Sequence, residues 1–96
     1  MTEFQRKCID AVLAFVENLI HDKISFHEIR GEKENYFVGK VPHPSHVVDI
    51  YIYLDEAGFG VEGKDWIICE RSDYDSDADL IDSLIDKLKA YFKVNY

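Results

Sequence analysis

Through the first twenty positions, apolar residues recur at offsets of three and four. Phe4, Cys8, Ile9, Ala11, Val12, Phe15, Val16, Leu19 and Ile20 fall on one stripe of a 3.6-residue period, which predicts an amphipathic helix ending at about Ile20. Thr2 and Gln5 have the spacing of a capping box, in which each side chain satisfies the other's backbone N–H, and they set its start. A second helical stripe closes the chain: Leu80, Ile81, Leu84, Ile85, Leu88, Tyr91 and Phe92 predict a helix from about Asp77 to Lys93. Asp77, Asp79 and Asp82 crowd its electropositive start, and Lys87, Lys89 and Lys93 its electronegative end.

Between the helices the period drops to two. Lys23 to Arg30 alternates, Gly31 to Asn35 is a polar turn, and Tyr36 to Val41 is β-branched and aromatic, so a hairpin is expected. Pro42-His43-Pro44-Ser45 is a stiff loop, because proline fixes φ and removes donors. His46 to Asp55 alternates most cleanly, with Val48, Ile50, Ile52 and Leu54 on one side and Val47, Asp49, Tyr51, Tyr53 and Asp55 on the other. Glu56-Ala57-Gly58 then turns into a strand from Phe59 to Glu62, and Gly63-Lys64-Asp65 turns into one from Trp66 to Glu70, followed by a loop from Arg71 to Ser76. The expected fold is α+β and a single domain spanning 1–96. It has an N-terminal helix, an antiparallel sheet of four to five strands and a C-terminal helix. Both helices lie on the sheet face that carries Val48, Ile50, Ile52 and Leu54.

Charge narrows the partners. Eleven Lys and Arg against 19 Asp and Glu leave −8, and the pI is near 4.8. Binding to phosphate backbones or anionic membranes relies on Lys and Arg, so neither nucleic acid nor membrane is expected, and a basic protein partner fits better. With 96 residues, 47% of them hydrophobic, the chain can build a core without staples, so Cys8 and Cys69 are expected to be reduced core thiols. The N-terminal stripe is broken by Arg6, Lys7, Asp10 and Glu17, unlike a signal peptide, and no stretch approaches a membrane span; a cytoplasmic protein is expected.

Several constellations could carry chemistry. His43, His46 and Asp49 have an H-x-x-H-x-x-D spacing, but alternation on a strand sends His46 and Asp49 to opposite faces, against a metal site. Asp73, Asp75, Asp77 and Asp79 alternate like the start of a calcium loop, yet the sixth position is Leu80 or Ala78 where that loop needs glycine. Asp49 with Glu62-Gly63-Lys64 resembles the D…(E)xK signature of restriction-endonuclease-like nucleases. That resemblance implies a divalent metal held by Asp49 and Glu62, but Gly63 stands where that family has an apolar strand residue. Gly58, Gly60 and Gly63 match G-x-G-x-x-G without opening a helix. Cys8 lies on a core stripe, and Cys69, Ser72 and Ser76 have no histidine beside them in sequence. No catalytic residues, cofactor or metal are assigned.

What remains is the sheet face opposite the helices, with Asp49, Tyr51, Tyr53 and Asp55, neighboured by Tyr36 and Trp66. Tyr and Trp are common interface anchors, and interleaved carboxylates suit a basic partner, for which the acidic loop with Asp73 and Asp75 offers a further patch. In size, in its 19 acidic residues out of 96, and in helix–sheet–helix order, the chain resembles the small acidic immunity proteins of bacterial toxin systems. The resemblance is one of type and rests on no motif. It implies a non-enzymatic inhibitor that occludes a basic partner such as a nuclease toxin. The alternative is a homo-oligomeric interaction or adaptor domain, a homodimer through the aromatic face; a metal-dependent nuclease ranks third.

Overall fold

The computed structural model describes residues 1–61 and 64–95, leaving aside the side chains of 94 and 95. Helix α1 spans Glu3–Ile20 and opens on the expected capping box: Gln5 N–H donates to Thr2 Oγ1 at 3.1 Å, and Thr2 N–H to Gln5 Oε1 at 2.9 Å. Five strands follow, β1 (Phe26–Arg30), β2 (Asn35–Pro42), β3 (Val47–Ile52), β4 (Glu56–Gly60) and β5 (Ile67–Glu70). A 3₁₀ turn, Arg71–Asp73, leads to α2, Asp77–Asn95. Ser76 caps α2, its Oγ accepting from Asp79 N–H at 3.1 Å.

The strands form an antiparallel meander in chain order, β1-β2-β3-β4-β5. Register fixes what each face shows. Ile50 sits between Gly39 on β2 and Phe59 on β4, and Ile52 between Phe37 and Ala57, so these side chains share one face. Both helices cover that face. Cys8, Val12 and Val16 of α1 and Leu80, Leu84 and Leu88 of α2 meet Val41, Val48, Ile50 and Ile52 in one core, all fully buried. The architecture is the expected α+β one, with both helices on the Val48 face.

The third hairpin corrects the sequence reading. Strand β3 ends at Ile52 instead of Asp55, and β4 starts at Glu56 instead of Phe59. Tyr53 N–H donates to the Glu56 carbonyl at 2.8 Å, closing a tight turn at Leu54-Asp55, so Leu54 leaves the core face and is exposed. Ala57 and Gly58, expected in a turn, are ladder residues opposite Cys69 and Ile68. The small residues are needed there: a Cβ on Gly58 would stand 2.4 Å from the Ile67 carbonyl oxygen, on backbone that cannot give way. Strand β1 begins at Phe26, three residues later than expected, and Trp66 precedes β5.

Arg71 fastens the two layers. Its backbone N–H donates to the Asp55 carbonyl at 2.8 Å, and its guanidinium reaches Asp77 at 3.1 Å and Asp55 at 3.5 Å. The same guanidinium lies 4.7 Å from the centre of the Phe4 ring. The β3–β4 turn is thereby held to the starts of both helices. Among the described residues no helix is long and apolar enough to cross a membrane.

Two substitutions check this packing. Ile50→Asp puts an unpaired carboxylate into a fully buried site, and a cost above about 4 kcal/mol should abolish the cooperative unfolding transition in circular dichroism. Gly39→Val would press a branched side chain into the Phe26 ring, 2.8 Å from the Cβ position, and should cost about 1–3 kcal/mol in a denaturant titration while leaving the fold intact.

Candidate functional site

With both helices on one side, no helix among the described residues covers the other face of the sheet. Alternation places Tyr36 and Val38 of β2, Tyr51 of β3, Glu56 and Gly58 of β4, and Ile68 and Glu70 of β5 on it. The tyrosines gather through the register: Tyr36 and Tyr53 stack with ring centres 4.6 Å apart, and Tyr51 lies 5.9 Å from Tyr36. Trp66 meets Tyr51 edge-on at 4.9 Å. The indole lies across Gly60, whose missing side chain makes room: a Cβ there would stand 2.6 Å from the ring.

The next glycine on this face, Gly58, is covered by no ring at its Cβ position but by the backbone of β5 at Ile67. Gly58 lies between Tyr51 and Ile68 in register, and it lines a trough of about 380 Å³. Tyr51 and Tyr53, backed by Tyr36, line one side and Ile68 the other, and Trp66, against Tyr51 and over Gly60, closes one end. Glu56 closes the other end, two residues from Gly58 on the same face of β4. Beyond Glu56 a second hollow of about 480 Å³ is lined by Glu34, Asp55 and Glu70 together with Arg71 and Ser72.

The acidic end is electrostatically strained. Glu56 and Glu70 are direct cross-strand partners, a like-charge pair that disfavours the sheet. Partial burial, followed by repulsion from Glu70, Glu34 and Asp55, raises the Glu56 carboxyl above its usual range. Among the described residues, none of Glu34, Glu56 and Glu70 is in an ion pair. Tyr53 is likewise raised, by burial first and then by Tyr36, Tyr51, Glu56 and Glu34, so its hydroxyl stays neutral and able to donate.

Comparison with protein-family models, curated proteins and solved structures finds no match. The site therefore stands on its own geometry.

The residues singled out from sequence divide into three groups. Tyr51, Tyr53 and Trp66 come together in the lining of the trough. Asp55 sits in the turn beside the acidic end and pairs with Arg71, while Asp49 stands on the same face but is bound to Lys40 at 2.9 Å. Asp73 and Asp75 lie in the 3₁₀ turn and the loop before α2, line neither hollow, and stay an exposed acidic patch. Glu56, Gly58, Ile68, Glu34 and Glu70 were not singled out as site residues from sequence. With Leu54-Asp55 recognised as the turn, alternation along β4 would have placed Glu56 and Gly58 on this face.

The other constellations do not converge. His46 Nε2 lies 2.7 Å from the Tyr91 hydroxyl and its Nδ1 3.0 Å from Ser45 Oγ, with the His43 ring stacked at 4.0 Å, while Asp49 turns to the opposite side of the sheet. Asp77 is held by Arg71, so the aspartate run does not wrap around a common centre. Among the described residues no three His, Cys, Asp or Glu side chains could together hold a metal ion. Glu62 and Gly63 of the nuclease-like pattern lie outside the described residues. Cys8 and Cys69 are free, buried thiols. Burial, with Asp77 and Cys69 adding and Arg71 opposing, pushes Cys8 up to about 12, so it is inert as a nucleophile.

The histidine cluster makes a pH prediction. Burial first, then His43 and Lys64, lower the His46 pKa from its usual 6.5. A base whose folded value is depressed contributes stability above the unfolded pKa, and that contribution is lost as pH falls through the folded value. The melting temperature should therefore drop more between pH 7.5 and pH 5 in the wild type than in His46→Gln. Equal drops in the two proteins would show that His46 does not carry the effect.

Proposed function

We propose that this chain is an acidic protein-binding module that occludes a basic partner, in the manner of an immunity or inhibitor protein directed at a toxin such as a nuclease. The observation that carries the reading is the sheet face opposite the helices, where an aromatic cluster borders uncompensated carboxylates. Apolar side chains are exposed there too, with Trp66 at 39% and Ile68 at 52% on one edge. Rigid aromatic side chains supply contact area at low entropic cost, and the carboxylates steer a cationic surface toward them. The chain then acts by covering its partner, without chemistry of its own, and needs no cofactor. The working compartment under this reading is the cytoplasm of a bacterium, where such a toxin would otherwise act.

Parallel affinity capture from source cells tests this, using the wild type, the Tyr51→Ala/Asp55→Ala variant and Asp10→Asn on the exposed side of α1 as baits. The double variant should stay folded at a cost of about 1–2 kcal/mol, since Tyr51 is half-buried and Asp55 exposed. A basic protein held by the wild type and by Asp10→Asn should bind the double variant at least about tenfold more weakly. Adding one equivalent of the wild type should also block that protein's activity. Equal capture by all three baits would remove the face from the interaction. A homodimer in sedimentation that Tyr51→Ala dissolves would instead support the homo-oligomeric adaptor.

A further inference from the structure

The trough has the features of a site for one long cationic side chain, and they come from different parts of the fold. Its floor is backbone, because Gly58 has no side chain and cannot acquire one without striking the Ile67 carbonyl. Its walls are aromatic and aliphatic. Along β4 the charge sits at one end only, at Glu56, while the other end is closed by the indole over Gly60. From Gly58 to Glu56 is two residues of strand, about 6.6 Å, a span that an alkyl stem with a terminal cation covers. The volume, about 380 Å³, is at the small end of the range for ligand sites and holds a side chain rather than a folded element.

We propose that this trough receives an arginine side chain of the basic partner, its methylene stem lying over Gly58 and its guanidinium meeting Glu56. Guanidinium is favoured over ammonium on two grounds. It is planar and weakly hydrated, so it leaves water for an aromatic surface at lower cost, and it can stack on a ring while its edge donates to a carboxylate. A carboxylate accepts two of its N–H groups at once, and Glu34 and Glu70 beyond Glu56 extend the negative field to which the cation is drawn. Its arrival also relieves the repulsion between Glu56 and Glu70. The inference rests on the reading of the chain as a binder of a basic partner and names the contact through which it binds.

Trp66 is the single tryptophan, so its fluorescence reports the trough directly. The probe is Nα-acetyl-arginine amide, titrated at low salt against the citrulline analogue, which has the same shape without the charge, and the lysine analogue. Arginine should give a saturable change that citrulline does not, with lysine binding more weakly. Glu56→Gln should weaken arginine binding about tenfold, the loss of one charge-assisted pair. Ile68→Lys, at a half-exposed wall position, should abolish it by placing an ammonium in the trough. Equal responses to arginine and citrulline, tighter binding of lysine, or unchanged affinity in Glu56→Gln would overturn the assignment. A partner that is lost with Tyr51→Ala/Asp55→Ala but kept by Glu56→Gln would sink this contact and leave the binding face standing. Arginine binding with no partner on the face would do the reverse.

Discussion

Two amphipathic helices and one open sheet impose a constraint that the rest of the molecule follows. Each helix must bury a stripe, and the alternating ladder of β2, β3 and β4 offers a single continuous apolar surface, around Val48, Ile50 and Ile52, on which both stripes fit. Once Leu80, Leu84 and Leu88 lie beside Cys8, Val12 and Val16 there, no helix among the described residues is left for the other side. A one-residue slip in any ladder would turn the core side chains outward, so register is held strongly by the buried face and the exposed face inherits its layout. The aromatic cluster is thus positioned by the core beneath it.

Glycine and aromatic residues are paired on both sides of the sheet, with different outcomes. On the helix side the Phe26 ring folds over Gly39, its cross-strand partner, and fills the space. On the open side Trp66 does the same for Gly60, but at Gly58 it is the backbone of β5 at Ile67 that closes in, and the trough runs past it between Tyr51 and Ile68. Its acidic end is not free to drift. Arg71 ties the turn that precedes Glu56 to α1 through Phe4 and to α2 through Asp77, so the carboxylates are presented from a fastened hairpin.

What could be read from the chain alone follows the strength of the local signal. The capping box of Thr2 and Gln5, both helical stripes and the alternation from Val47 to Ile52 are local and survive folding unchanged. The third hairpin is not local. Leu54-Asp55 carries no glycine, whereas Glu56-Ala57-Gly58 has poor strand propensity and the look of a turn. Pairing decides against propensity, because Ala57 and Gly58 are the residues small enough to sit against Cys69 and the close-lying backbone of β5. That displacement by three residues hid the part of the site contributed by β4, while the walls from β3, read by alternation, were visible.

The carboxylates at the end of the trough are not explained by folding. A cross-strand Glu56–Glu70 pair costs stability, Glu34 and Asp55 add to the repulsion, and Glu56 is partly desolvated as well. Other carboxylates of this acidic chain also lack an ion pair, Asp73 and Asp75 among them, but among the described residues only Glu56 and Glu70 face each other directly across the ladder, where Asp49 instead faces Lys40. An arrangement that weakens the isolated protein and is left uncompensated next to an apolar trough is what a binding site for a cation requires, since the energy withheld in the free state becomes available when the cation arrives. The same carboxylates that make the hairpin less stable alone would make the bound state more selective for positive charge.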